Sequence, residues 1–62
     1  MRDLRFKIAR QISGFTQLRL AEAVGVRESF IARIESGRAK PDSDTAEKIA
    51  NALNKRPFEL GI

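Results

Sequence analysis

QLRLAEAVGVRESF, residues 17–30, followed by IARIESG, residues 31–37, decides how this chain folds. Two short helical stretches flank a turn at Gly25, because apolar residues recur at helical spacing on both sides of it. In the second stretch the polar residues lie on one side of the predicted helix, and Ile31 and Ile34 lie on the other. The segment therefore predicts two consecutive helices, the second with an apolar inner face and a polar outer face.

Glycines and prolines divide the whole chain into five segments, each of a length suited to a helix. No segment alternates β-branched and polar residues as a strand does. We expect an all-α domain with helices over about 2–13, 17–24, 27 or 28 to 36, from 42–44 onward, and around 57–60. Gly14, Gly25 and Gly37 are the expected C-terminal caps. Thr16 is the expected N-cap of the second helix.

The fourth helix carries its own start signal, since Asp44 and Glu47 have the spacing of a capping box. The last helix should have Pro57 in its first turn. Apolar residues at helical spacing give the expected core, which consists of Leu20, Ala21, Val24, Ile31, Ile34, Ile49, Ala50 and Leu53.

Composition limits what the chain can do. Its 62 residues suit a single domain, 1–62, with a small core. The absence of cysteine and histidine, and the scattering of the carboxylates, leave no catalytic constellation and no metal or cofactor site. Apolar runs of two or three residues are too short to span a membrane, and we expect a cytoplasmic, non-enzymatic protein.

The net charge of +4 favours a polyanionic partner, nucleic acid before an anionic membrane surface. The simpler interpretation of this charge is that it keeps a small domain soluble. The order of the two central helices favours the first interpretation, because it is the layout of a helix-turn-helix, in which one helix braces the next in a DNA groove.

The outer face of the third helix is the candidate reading surface. Glu28, Ser29, Ala32 and Arg33 are neighbours there, and the two small residues would let the helix approach a groove floor. Arg33 can pair with guanine O6 and N7, and Glu28 can accept from cytosine N4. The alternative is a solvated face on which the two charges simply attract each other.

Other polar residues are candidates for DNA phosphates or for internal contacts. Thr16 and Gln17 lie at a helix N-terminus, where N–H groups favour an anion, or they form an ordinary cap. Arg38 and Lys40 lie in the loop after the third helix and can bind phosphate. Arg10 and Glu35 can form a partly buried ion pair if the first and third helices cross.

These positions together resemble the phage-repressor and Cro type of helix-turn-helix, the XRE family. The matching residues are Arg10, Thr16, Gln17, Leu20, Ala21, Glu22, Gly25, Val26, Ile31, Arg33, Ile34, Glu35, Gly37, Pro41, Ala50 and Leu53. The resemblance implies a five-helix, lambda-repressor-like domain that binds double-stranded operator DNA as a homodimer. The chain departs from the family pattern at Arg27, where a serine or threonine commonly caps the recognition helix.

By position, the resemblance assigns a role to each candidate residue. It places base reading at Arg27, Glu28, Ser29 and Arg33. It places contacts to the DNA backbone at Gln17, Ser36, Arg38 and Lys40, and an internal salt bridge at Arg10 and Glu35.

The leading hypothesis is a sequence-specific transcriptional regulator, a repressor, with the third helix in the major groove. With no coiled coil to hold a dimer, the protein should be weakly dimeric or monomeric without DNA. One alternative is a DNA-binding antitoxin or a restriction-modification controller. Another is a protein-interaction module that keeps the fold without binding DNA.

The first helix has two apolar sides. Leu4, Ile8 and Ile12 form one stripe, whereas Phe6 and Ala9 lie on the other side and match the inward face of the family. Either the helix is rotated and the stripe is core, or the stripe is an exposed patch, with Leu18 nearby, that contacts another protein. Burial of Ile8 and Ile12 distinguishes the two interpretations.

Overall fold

The computed structural model describes residues 3–62 and consists of helices around one apolar core. No strand occurs within those residues. The elements are α1, Arg5–Ile12, α2, Gln17–Val24, α3, Glu28–Glu35, α4, Ser43–Ala52, and a 3-10 helix, Pro57–Leu60. The all-α prediction is confirmed, but the fifth element is a short 3-10 helix, so there are four α-helices rather than five.

Helix α1 begins later than predicted. Arg2 lies outside the described residues, and the backbone at Leu4 is still non-helical, with φ −103° and ψ 6°. The Asp3 carboxylate accepts a hydrogen bond from Arg5 N at 3.0 Å. A side-chain oxygen that bonds to the backbone two residues later favours a turn over a helix, so α1 starts at Arg5.

The sequence predicted the N-cap of α2 correctly but misplaced that of α4. Thr16 Oγ1 accepts from Arg19 N at 3.0 Å and caps α2 as predicted. Asp44 is not a cap, because Asp42 takes that role and its Oδ1 accepts from Thr45 N at 2.8 Å. Asp42 has the extended backbone that an N-cap requires, whereas Asp44 lies inside the first turn of α4, where its charge suits the helix dipole.

The core contains all eight residues expected to be buried. Leu20 from α2, Ile31 from α3 and Ile49 from α4 are fully buried, and Leu60 closes the core from the 3-10 helix. Contacts between α2 and both α3 and α4 place α2 at the centre of the bundle. The apolar inner face of α3 therefore packs on α2, and its other face is left to solvent.

Helix α1 joins the core through Phe6, which is 3% exposed, and not through its longer apolar stripe. Leu4, Ile8 and Ile12 are 44%, 49% and 81% exposed. The interpretation that the stripe is core is wrong. The opposite side of α1 packs inward instead, where Phe6 joins the core cluster, Ala9 packs against it and Arg10 is buried in its ion pair with Glu35.

Candidate nucleic-acid interface

Helix α3 is held so that its polar face points outward. Ile31 and Ile34 are buried against the rest of the core. On the outer side Glu28, Ser29 and Arg33 are exposed, and Ala32 is half-buried between the two faces. The structure therefore brings the predicted reading residues together on one accessible helix surface, with only small side chains between the two charged ones.

The start of α3 is exposed and weakly capped. Arg27 has the extended backbone of an N-cap, φ −79° and ψ 147°, but its side chain makes no capping hydrogen bond. Its exposed guanidinium is free to reach a ligand in front of the helix. Glu28 in the first turn compensates in part, because a carboxylate there interacts favourably with the helix dipole.

A buried ion pair fixes α3 relative to α1. Arg10 Nε donates to Glu35 Oε2, and Arg10 Nη2 donates to Glu35 Oε1 at 3.3 Å. The two side chains are 8% and 7% exposed. Arg10 Nη1 also donates to the Phe15 carbonyl at 2.7 Å, so the guanidinium joins α1, the loop before α2 and the end of α3.

Gln17 belongs to this network rather than lying free at the helix end. Its Nε2 donates to Glu35 Oε1 at 3.2 Å, and the side chain is half-buried. An amide nitrogen carries two hydrogens, so one remains for a phosphate. The sequence placed Gln17 at a helix N-terminus but gave no sign that Glu35 would orient it.

The loop after α3 places two exposed basic residues beside the reading helix. Arg38 N and Ala39 N both donate to the Arg33 carbonyl, at 2.8 and 3.1 Å, and this fold of the chain keeps the loop against α3. The side chains of Arg38 and Lys40 are exposed. Ser36 is half-buried, and its Oγ donates to the Arg33 carbonyl at 3.1 Å.

The candidate surface is rich in positive charge, with exposed basic side chains at Arg27, Arg33, Arg38 and Lys40 near the exposed carboxylate of Glu28. Sequence reasoning missed a further candidate, Arg19, which is exposed in the first turn of α2. A signal was available, because a cation in the first turn opposes the helix dipole and is unfavourable without an anionic partner.

Within residues 3–62 no group of three or more His, Cys, Asp or Glu side chains is placed to hold a metal ion. None of the helices between those residues is both long and apolar enough to cross a membrane.

A family model described as helix-turn-helix matches residues 6–60. The chain belongs to the helix-turn-helix family. An uncharacterized HTH-type transcriptional regulator from Methanothermobacter thermautotrophicus is 44% identical over 46 residues, which are 74% of this chain and 67% of that protein. A protein of the same description from Archaeoglobus fulgidus is 43% identical over 49 residues, 79% of this chain and 70% of its own.

Solved structures share the fold of this helix-turn-helix chain. The restriction-modification controller protein C.AhdI from Aeromonas hydrophila has a TM-score of 0.83 and 29% identity, over 94% of this chain and 84% of its own. The clp gene regulator ClgR from Corynebacterium glutamicum has a TM-score of 0.84 over 94% of this chain and 62% of its own, and at 24% identity it shows the fold alone. As a helix-turn-helix protein the chain is a DNA-binding transcriptional regulator, and its family and fold are those of regulators rather than enzymes.

Proposed function

We propose that the chain is a transcriptional repressor that binds a specific double-stranded operator with α3 in the major groove. One observation carries this proposal: α3 buries Ile31 and Ile34 and exposes Glu28, Ser29 and Arg33 on a single face. The width of the major groove admits a helix, and the donor and acceptor pattern on its floor distinguishes all four base pairs.

The exposed residues divide by chemistry into two groups. Base reading falls to Arg27, Glu28, Ser29 and Arg33, whose side chains project from the first two turns of α3 and from its N-cap. Backbone contacts fall to residues at helix ends and in the following loop, which are Thr16, Gln17, Ser36, Arg38 and Lys40. Such contacts position a protein on DNA without carrying sequence information directly.

One copy of α3 covers only a half-site, so we propose a homodimer on DNA. Half-sites one helical turn apart, about 34 Å, would place two recognition helices in successive major grooves on one side of the duplex. We propose further that residues 1–62 make one domain, because one cluster of buried residues spans all five elements, and that it works in the cytoplasm without a cofactor.

Selection of binding sites from random duplex DNA tests the proposal. The wild-type chain should enrich an approximate palindrome. Arg33→Ala should weaken binding to that site by about 1–3 kcal/mol and relax the preference at one base pair in each half. Lys40→Ala is the matched control. It should weaken all sequences about equally and make the slope of log affinity against log salt shallower by about one.

Two results would contradict these roles. Identical selected sites for wild type and Arg33→Ala would remove Arg33 from base reading. A base-specific change in Lys40→Ala would remove that residue from the phosphate contacts. Failure of the wild-type chain to enrich any sequence would reject specific DNA binding altogether.

A second candidate function is control of a restriction-modification system. Its support is the likeness to C.AhdI, which combines a TM-score of 0.83 with 29% identity and 84% coverage of that controller. The two functions can be distinguished by finding where the enriched DNA sequence occurs in the source genome. A controller's site should lie beside restriction and modification genes, and a site elsewhere would argue against this candidate.

A further inference from the structure

Helix α1 and its N-cap residue Leu4 present apolar side chains to solvent. Leu4, Ile8 and Ile12 recur every four residues, and all three are exposed while Phe6 fills the core from the opposite side. Single exposed apolar residues are ordinary on protein surfaces. Three in one stripe over two helical turns form a contiguous patch, and such patches mark sites of interaction.

The stripe borders a groove, which we call the α1 groove. Its lining consists of Arg5, Ile8, Ala9 and Ile12 from α1, together with Lys55 and Glu59 from the segment after α4. The groove is shallow and has a volume of about 250 Å³. None of its lining residues comes from α2 or α3, so the α1 groove is separate from the candidate DNA-reading face.

Lysines border the stripe on both sides. Lys55 lines the α1 groove on one side, and helical spacing places exposed Lys7 at the opposite edge of the stripe. Between residues 3 and 62 the ion pairs are Arg5–Asp3 and Arg10–Glu35, so both lysines lack a carboxylate partner in that part of the chain.

The negative charge near the α1 groove is smaller than the positive charge. Helix α1 contains no acidic residue. Glu59 is the carboxylate that lines the groove, and its Oε1 accepts a hydrogen bond from the uncharged Arg56 N at 2.8 Å. With Arg5 paired to Asp3, the rim retains Lys7 and Lys55 against Glu59, so an apolar centre is bordered by a net positive rim.

We propose that the α1 groove docks an acidic amphipathic helix of a partner protein. Apolar residues of that helix would cover Ile8 and Ile12, and its flanking aspartates or glutamates would face Lys7 and Lys55. An amphipathic helix laid into a groove is a common mode of peptide recognition. Charge complementarity at the rim would favour this partner and disfavour basic ones.

The charges argue against a second copy as the occupant. Packing α1 on its own copy would bring Lys7 and Lys55 of both chains to one small interface, where four lysines would meet two copies of Glu59. Like charges placed together at an interface are unfavourable. An acidic helix would cover the same apolar stripe, and its carboxylates would attract the lysines that a second copy would repel.

A display library of helical peptides of about 16 residues, randomised on one face, tests this inference with the folded chain as bait. The length spans about four helical turns, twice the length of α1. Enriched peptides should carry leucine, isoleucine or phenylalanine at i and i+4, flanked by aspartate or glutamate. Fluorescence anisotropy of one enriched peptide then gives its affinity for each variant.

Ile8→Gln should weaken the peptide by about tenfold, as expected for loss of one buried apolar contact. Leu18→Gln is the matched control, because Leu18 is as exposed as Ile8, 48% against 49%, but lies on α2 outside the groove. It should bind the peptide as wild type does. Lys7→Glu with Lys55→Glu should also weaken the peptide, and operator DNA should leave its affinity unchanged.

Several outcomes would overturn the proposal. These are a library without enrichment, enriched peptides that are basic, or peptides equally sensitive to Leu18→Gln and Ile8→Gln. A dimer in sedimentation that Ile8→Gln dissolves would assign the stripe to a second copy instead. Binding to phosphatidylserine vesicles that depends on Ile8 would assign it to a membrane surface.

Discussion

The Glu35 side chain holds three helices together through its hydrogen bonds. Its two oxygens accept hydrogen bonds from Arg10 and Gln17, and it thereby connects α1, the start of α2 and the end of α3. Within residues 3–62 no buried side-chain nitrogen or oxygen lacks a hydrogen-bond partner. A buried pair of this kind specifies geometry more than it adds stability, but removal of one partner leaves an uncompensated charge.

Glu35→Gln should therefore lower the free energy of unfolding by about 3 kcal/mol, because it keeps the shape of the side chain and leaves the Arg10 charge buried alone. Urea unfolding followed by circular dichroism measures the change. Glu47→Gln, an exposed carboxylate on α4, is the control and should change stability by less than about 0.5 kcal/mol. Equal stability of the two variants would show that the ion pair is unimportant.

Asp3 is the residue whose ionisation the fold alters most visibly. The Arg5 side chain donates to it at 2.7 Å, Arg5 N donates at 3.0 Å, and these bonds lower the pKa of Asp3 from 3.8 to about 2. A depressed pKa in the folded state means that the contact stabilises the fold above the unfolded value of 3.8. That stabilisation is lost as the pH falls through about 2.

A carboxyl titration by NMR measures this directly. Asp3 should titrate at about 2 in the wild-type chain and return toward 3.8 in Arg5→Gln, which removes the donor. An Asp3 that already titrates near 3.8 in the wild type would mean that the Arg5 contact does not persist in solution.

Helix α3 lacks a stabilising side-chain cap at its exposed start. Helices α2 and α4 have side-chain N-caps from Thr16 and Asp42. Helix α3 begins at Arg27 without one. A long cation in place of a short cap is unfavourable for the helix, and it suits a residue that contacts DNA.

Arg27→Ser should raise the free energy of unfolding by about 1 kcal/mol, because a serine hydroxyl can accept from the exposed N–H groups of α3. It should also lower DNA affinity. Arg27→Ala is the control, since it removes the same side chain without supplying a cap, and it should lower affinity with no gain in stability. If serine and alanine give the same unfolding midpoint in urea, the absent cap does not limit α3.

The whole molecule is small, with a radius of gyration of 10.0 Å, and its core depends on residues from every element. In the homodimer that we propose, two operator half-sites would bring the copies together, so a contact smaller than the standard interface of about 800 Å² on each partner would suffice.

We expect sedimentation of the free protein at micromolar concentration to show mostly monomer. Addition of a palindromic operator should give two chains per duplex, because two half-sites about 34 Å apart bring the copies together. A duplex with a single half-site is the control and should bind one chain weakly. A dimer that persists at nanomolar concentration without DNA would contradict weak self-association.

The sequence by itself determined the helices and most of the core. Gly25 ends α2 with φ 78° where the glycine pattern predicted it, and Leu20, Ile31 and Ile49 are buried as their spacing indicated. These features follow from local geometry, since a helical repeat sorts side chains into faces and a left-handed backbone favours glycine. The exposed face of α3 follows from the same rule.

Tertiary structure alone decided which side of α1 faces inward. Two apolar sides compete in the sequence. Phe6 is buried in the core cluster, and Arg10, one turn later on the same side of α1, pairs with Glu35 of α3. The hydrogen bond from Gln17 to Glu35 was equally beyond prediction. Local patterns give the faces of a helix, but the partner that covers a face comes from elements distant in sequence, and so only packing selects it.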